Sequence, residues 1–365
     1  MSQLIVTRWT VKTDGVIAPD ERLPWPQTIA MGLQHVVAMF GATVLAPLLM
    51  GFDPNVAILM SGFGTLIFFV VTGGRVPSYL GSSFAFIGVV IAATGYAGSG
   101  GNPNLGTALG GIIACGVLYA VIGLVVMAAG TRWIERLMPP IVTGAVVAVI
   151  GLNLAPIAVT GASGSTFDAW MAVLTIVAVA AVAVFTRGMV RRLLILVGLA
   201  IAYAAYVLLA NGMGLGKPVD FGGVANAAWL GLPQFAAPNF RAEAIALIAP
   251  VAIILVAENL GHIKAVAAMT GRDLDPYMGR AFLGDGLATI VAGYSGGTGV
   301  TTYAENIGVM AVTKIYSTIV FVVAAVTLVL GAGDFTLKIG GVAFGGIATA
   351  TFGAILLNLL LRERR

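Results

Sequence analysis

The sequence predicts an all-α polytopic membrane protein, and three observations carry that expectation. Hydrophobic residues make up 59% of the chain and charged residues 9%, with a mean hydropathy of +1.01, a balance that no ordinary soluble domain has. The apolar residues fall into runs of about 17 to 25, the length a helix needs to cross a bilayer. Glycine occurs 49 times in 365 residues, which fits closely packed helices better than the short alternating segments of a β-barrel.

The elements follow in order. Residues 1–27 are polar and lack both a hydrophobic signal core and a small-residue cleavage site, so they read as a cytoplasmic segment, with the first span as its own insertion signal. Spans are predicted near 29–50, 55–73, 83–99, 106–130, 139–159, 169–186 and 193–211. A polar, glycine-rich connection from Asn211 to Arg241 separates them from five more, near 242–269, 279–294, 299–313, 317–332 and 340–361. That makes about twelve.

The third and tenth segments are too short to cross alone. Each follows an irregular stretch, Arg75 to Ser83 before one and Gly293 to Gly299 before the other. They are predicted to be half-helices capped by Ser83 and Thr302, because interrupted segments in corresponding places of two halves mark a transporter's midplane site. Long turns between ordinary helices are the plainer reading.

Basic residues concentrate on the cytoplasmic side of membrane proteins. With a cytoplasmic N-terminus, sixteen of the 19 Lys and Arg residues fall on that side, leaving Lys217, Arg241 and Lys338 outside. This supports an even span count and two cytoplasmic ends. The net charge of +4 follows the topology and gives no reason to expect a nucleic-acid partner. Cys115, the single cysteine, lies in an apolar run and reads as a small buried hydrophobe.

A charged side chain at bilayer depth costs roughly 3 kcal/mol or more and is by default functional. Glu258 and His262 stand four apart in the run from 242 to 269, so they share one helical face. Glu305 lies at the mouth of another apolar segment. A carboxylate at that depth needs a proton, a partner or a substrate. Asp285 has a plainer reading as a residue near the cytoplasmic end of its helix, and His35 as an interhelical hydrogen-bonding group. Two histidines and one cysteine are too few for a typical zinc site, so no metal is expected. No convincing G-x-S-x-G elbow and no HExxH signature appears, so no catalytic residues and no enzyme activity are expected.

The run Glu305-Asn306-Ile307-Gly308 through Thr313-Lys314 resembles the signature of the nucleobase–ascorbate transporter family, the nucleobase–cation symporters, whose pattern is Glu/Gln/Pro-Asn-x-Gly-x-x-x-x-Thr-Arg/Lys/Gly. Gln34-His35, Gly81 to Phe86 and Glu258 to His262 also resemble the uracil and pyrimidine permeases of that family. The resemblance runs from about Trp25 onward. It implies fourteen segments in two inverted repeats, a core domain and a gate domain, and a homodimer. Here the transporter domain is expected over 28–361, with a first repeat about 28–212, a shortened second about 241–361 and a cytoplasmic tail at 362–365. Two spans fewer than the family's fourteen implies an internal deletion near residues 318–326.

The resemblance assigns Glu258 and Glu305 to hydrogen bonds with the base, His262 to supporting Glu258, and the backbone amides of Phe84 and Ala304 to its carbonyls. Ala42 lines the same pocket by analogy, Asp285 joins the groups considered for proton coupling, and Tyr303 adjoins the signature. Uracil matches such a site, since its two N–H groups meet carboxylates and its two carbonyls meet half-helix N-termini. Glutamate at the first signature position resembles uracil-type members. The expectation is proton-coupled uptake of uracil or a related pyrimidine across the cell membrane by alternating access, with no cofactor beyond protons and with the nucleobase and the lipid bilayer as partners. The alternatives are a xanthine or purine carrier, and a truncated, transport-inactive member that still binds a base.

Overall fold

The computed structural model describes residues 8–96, 100–187, 190–191, 194–222, 233, 235–331, 337–339 and 342–344. Most of them are helical. They divide into two compact units, Met1–Val146 with Ala228–Arg365, and Val147–Ala227.

The first unit begins with a short parallel strand pair, β1 (Thr10–Val11) and β2 (Glu21–Arg22). Helix α1 (Trp25–Met50) has a proline in its first turn and ends on left-handed Gly51. Helix α2 (Pro54–Val71) starts with Pro54 after Asp53, whose carboxylate accepts from the Asn55 amide at 2.8 Å. Strand β3 (Leu80–Ser82) and one 3₁₀ turn (Phe84–Phe86) lead into α3 (Ile87–Thr94), which stops at left-handed Gly95. Helix α4 (Leu105–Ala129) is long and apolar enough to span, and the short α5 (Arg132–Leu137), which the sequence reading passed over, precedes α6 (Pro140–Ala162), which belongs to this unit as far as Val146.

The second unit holds α7 (Thr166–Phe185) and α8 (Leu194–Val207), which packs on α7 and closes with one π turn at Leu208–Gly212. Ser165 caps α7 by accepting from the Asp168 amide. Phe167 and Tyr206 meet edge to face at 5.4 Å.

The expected span 242–269 is two helices, α9 (Ala242–Ile248) and α10 (Val251–Thr270). Pro250 has no N–H to donate, and the chain tightens there through i→i+3 bonds from Ala252 and Ile253. Helix α11 (Met278–Tyr294) follows, then strand β4 (Val300–Thr302), α12 (Ala304–Thr313) and α13 (Thr318–Gly331). The expected segment 299–313 is therefore a strand followed by a half-helix. The last expected span, 340–361, lies outside the described residues apart from Val342–Phe344, which forms strand β6 against β5 (Leu337–Ile339).

Five helices among the described residues are long and apolar enough to cross a membrane: α1, α2, α4, α7 and the broken run Ala242–Thr270. Helix α4 shows how they pack. It is apolar on every side, yet Cys115, Gly116, Tyr119, Gly123 and Val126 are buried while Val117, Val121, Leu124 and Val125 are exposed. Polarity does not separate the two faces, but Gly110, Gly111, Gly116 and Gly123 all fall on the buried one.

Helix α11 lies against that inner face at backbone contact. A Cβ added to Gly123 would come within 2.5 Å of the Leu283 nitrogen and 2.9 Å of the Gly279 oxygen. Helix α13 seats on α1 and α2 in the same way, with Val323 against Gly32 and Val329 against Gly62. Because backbone atoms cannot rotate aside, Gly123→Val should lose about 1 to 3 kcal/mol of stability. The fall should appear as a lower melting temperature in detergent, while Gly41→Ala, where a Cβ would meet nothing within 4 Å, leaves it unchanged.

Candidate functional site: two half-helices facing a carboxylate pair

Strands β3 and β4 pair antiparallel inside the first unit, Leu80 opposite Thr302 and Ser82 opposite Val300. All six residues are buried. The pairing continues at both ends, from the Ser83 amide to the Gly299 carbonyl at 2.9 Å and from the Tyr303 amide to the Tyr79 carbonyl at 3.1 Å.

A two-stranded ribbon has two open edges, and at membrane depth no water can satisfy them. Threonines from two helices do so instead. Thr65 of α2 accepts from the Leu80 amide at 3.0 Å and donates to the Leu80 carbonyl at 3.4 Å. Thr289 of α11 treats Val300 the same way, at 3.2 and 3.1 Å. Below the ribbon the Tyr303 hydroxyl donates to the Ser82 carbonyl at 2.6 Å and meets Thr43 at 3.4 Å. A Cβ at Gly81 would strike the Tyr303 ring at 2.6 Å, so glycine is needed for that crossing.

Each strand feeds a short helix. Ser83 caps the first by accepting from the Ala85 amide at 3.3 Å, as expected. The second starts at Ala304 with Tyr303 in the cap position and no side-chain cap. The cap expected at Thr302 is thus corrected. That hydroxyl is taken by His262 Nδ1 at 2.8 Å and Asn259 Oδ1 at 3.3 Å. First-turn N–H groups lack intrahelical acceptors, which leaves the amide at Ala304 for an outside acceptor.

Glu305 and Ala304 are exposed at the start of α12, and Phe84 and Ala42 are half-buried. Glu258 is half-buried on α10, with its Oε2 atom enclosed and without a partner. The two carboxylates stand on α10 and α12, which pack against each other. They lie on different elements 47 residues apart in sequence, and the fold brings them together at the half-helix mouth.

The remaining residues occupy defined places. His262 bonds Thr302, not Glu258. Asp285 is fully buried within α11, so its reading as an end-of-helix residue is corrected; Asn259 donates to it at 2.7 Å and Tyr119 at 3.3 Å. Asn306 reaches His35 Nδ1 at 2.9 Å and donates to the His35 carbonyl at 3.2 Å, so His35 is an interhelical partner. Gly308 has open space around it. Thr313 bonds the Val309 carbonyl and accepts from the Ile315 amide, closing α12, while Lys314 adopts the left-handed conformation at φ 58°. That conformation suits glycine, which the signature also admits at this position. Tyr119 and Asn259 are the members of the cluster that sequence reasoning missed. Among the described residues no group of His, Cys, Asp and Glu is placed to hold a metal.

Thr289→Val and Thr65→Val each leave a buried N–H and C=O unpaired. Each should cost about 1 to 3 kcal/mol in thermal unfolding, and the serine variants should restore most of it.

Comparisons with known proteins bear on this geometry. The family model described as "Permease family", that of the xanthine and uracil permeases, matches residues 26–358. The chain is 60% identical to "Putative pyrimidine permease RutG" of Escherichia coli strain K12, covering 98% of this chain and 95% of that protein. It is 39% identical to a uracil permease of Paenibacillus larvae, over 94% and 82% of the two chains, and 41% identical to the Escherichia coli K12 uracil permease, over 87% and 73%. The first alignment runs over 420 residues against a chain of 365, so at least 55 positions have no counterpart here. Among solved structures, SLC26A9 matches with a TM-score of 0.54 at 13% identity, covering 92% of this chain and 57% of that one, a likeness of fold alone.

Proposed function

The chain belongs to the xanthine/uracil permease family, and from that premise we propose that it takes up uracil or a related pyrimidine nucleobase across the cell membrane, coupled to protons. Family membership makes it a multi-pass membrane transporter and not an enzyme. The observation that carries the substrate reading is the carboxylate pair Glu258 and Glu305, set at the mouth of two strand-fed half-helices. A pyrimidine dione offers two N–H donors to such carboxylates and two carbonyls to backbone amides, a role the family resemblance assigns to Phe84 and Ala304. Ala42 is assigned to the same pocket by analogy with the family. The names of the relatives, uracil and pyrimidine permeases, support the same substrate class.

The matching threonine clasps on β3 and β4 support two inverted repeats, one built on α2 and the other on α11. The lysine and arginine bias supports cytoplasmic termini. A homodimer and alternating access are carried over from the family resemblance. The second reading, a carrier that binds base but does not transport, is favoured by the 55 or more positions missing against the RutG alignment. Radiolabelled uracil uptake into cells lacking their own permeases, run beside calorimetric binding to solubilised protein, separates the two. Uptake together with binding supports the live carrier, binding alone the inactive one, and neither removes the uracil reading.

Replacing Glu305 by glutamine removes a charge-assisted acceptor. Glu305→Gln should weaken uracil binding by about 1.5 to 3 kcal/mol in a calorimetric titration.

Glu258 is proposed to carry the coupled proton, because an unpaired carboxylate is costly to move through a dry gate. Glu258→Gln imitates the protonated side chain permanently. In proteoliposomes it should keep uracil binding or exchange and lose accumulation driven by an imposed pH gradient. Accumulation that still follows the gradient would move the coupling role to Glu305 or Asp285.

A further inference from the structure

Behind the carboxylate pair lies a fully buried polar chain that the proposed site does not use directly. Asn259 Nδ2 stands 2.7 Å from Asp285 Oδ2 and 2.9 Å from the Tyr119 hydroxyl. Tyr119 is itself 3.3 Å from Asp285 Oδ2 and 3.2 Å from the Leu255 carbonyl. On its other side Asn259 Oδ1 lies 3.3 Å from Thr302 Oγ1, which lies 2.8 Å from His262 Nδ1. Asn259, Asp285 and Thr302 are within 1% of complete burial and His262 is 6% exposed, so water cannot substitute for any link.

The chemistry of each group gives the chain a direction. Asp285 Oδ2 takes donors from both Tyr119 and Asn259 and so acts as an acceptor, which turns the Asn259 amide nitrogen toward it and the amide oxygen away. The amide oxygen only accepts as well, and Thr302 must give its single hydroxyl hydrogen to it. That leaves Thr302 only lone pairs to offer His262. The hydrogen on that link therefore belongs to Nδ1, and in a neutral imidazole Nε2 is then bare. Nε2 is enclosed and has no hydrogen-bond partner.

We propose that Asp285, acting through Asn259 and Thr302, fixes His262 as the Nδ1–H tautomer and so holds a bare Nε2 lone pair ready to accept a hydrogen bond or a proton in the carrier's interior. Asp285, Asn259, Thr302 and Tyr119 are positioning residues in this arrangement. The inference deepens the proposed transport function and rests on it only for the use to which the lone pair is put.

The test is nitrogen NMR on protein reconstituted with ¹⁵N-labelled histidine. The chain has two histidines, so the His262→Gln spectrum assigns the resonances by subtraction. His262 is expected to show hydrogen on Nδ1 and a non-protonated Nε2. Thr302→Val should abolish that preference and Thr302→Ser should retain it. Asp285→Asn supplies a side chain that can also donate, and should yield mixed tautomers. A parent spectrum with hydrogen on Nε2, or on both nitrogens, overturns the proposal without need of any variant. So does an unchanged tautomer in folded Thr302→Val. Calorimetric uracil binding on the same parent sample keeps the two readings apart. The expected tautomer without binding counts against the transported base, and binding with the opposite tautomer counts against the wire.

Discussion

The whole site depends on backbone polar groups finding partners where no water is available. A half-helix that starts inside a membrane needs an extended segment to bring the chain there, and extended backbone exposes N–H and C=O groups that helices would satisfy internally. Pairing β3 with β4 satisfies one edge of each strand. Thr65 and Thr289 satisfy the outer edge at Leu80 and Val300, and the Tyr303 hydroxyl holds the Ser82 carbonyl. With those groups closed, the amides at the starts of the two half-helices, Phe84 and Ala304, are the ones left without an intrahelical acceptor. The openness of the site therefore rests on the closure of everything behind it.

The long spans could be read from the sequence because length and hydropathy are enough for α1, α2, α4 and α7. The half-helices could be read because glycine, serine and proline interrupt the apolar runs at two matching places. The strands themselves were hidden. Three residues are too few for a period-2 pattern, and Val300-Thr301-Thr302 reads equally as turn or helix start. The break at Pro250 is a local signal that was available but overridden by the unbroken hydropathy on either side.

The site divides in the same way. Glu258 and Glu305 stand out because charge is rare in apolar surroundings. Asp285 stands out less, since a carboxylate between two glycines gives no clue to its depth until α4 and α10 close over it. Tyr119 gives no sequence signal at all. Its hydroxyl matters only through Asn259 and Asp285, which are 140 and 166 residues away. Thr302 misled for a related reason: a threonine just before a helix is a good cap, but a histidine 40 residues upstream competes for its oxygen.

The N-terminal segment shows one more dependence on distant residues. Ile17 and Leu23 are fully buried. Ile17 pairs with the turn after α12, accepting from the Tyr316 amide at 2.8 Å while its own amide donates to the Lys314 carbonyl at 3.0 Å. The Thr318 hydroxyl donates to the Pro19 carbonyl at 3.0 Å across 299 residues of sequence, and Arg272 pairs with Asp20. Residues 17–20 thus have their binding groove made by residues about 300 positions later in the sequence. During synthesis they must wait, unburied, until α12 and the start of α13 have been made, so a contact of such long sequence separation closes only after everything between has been built.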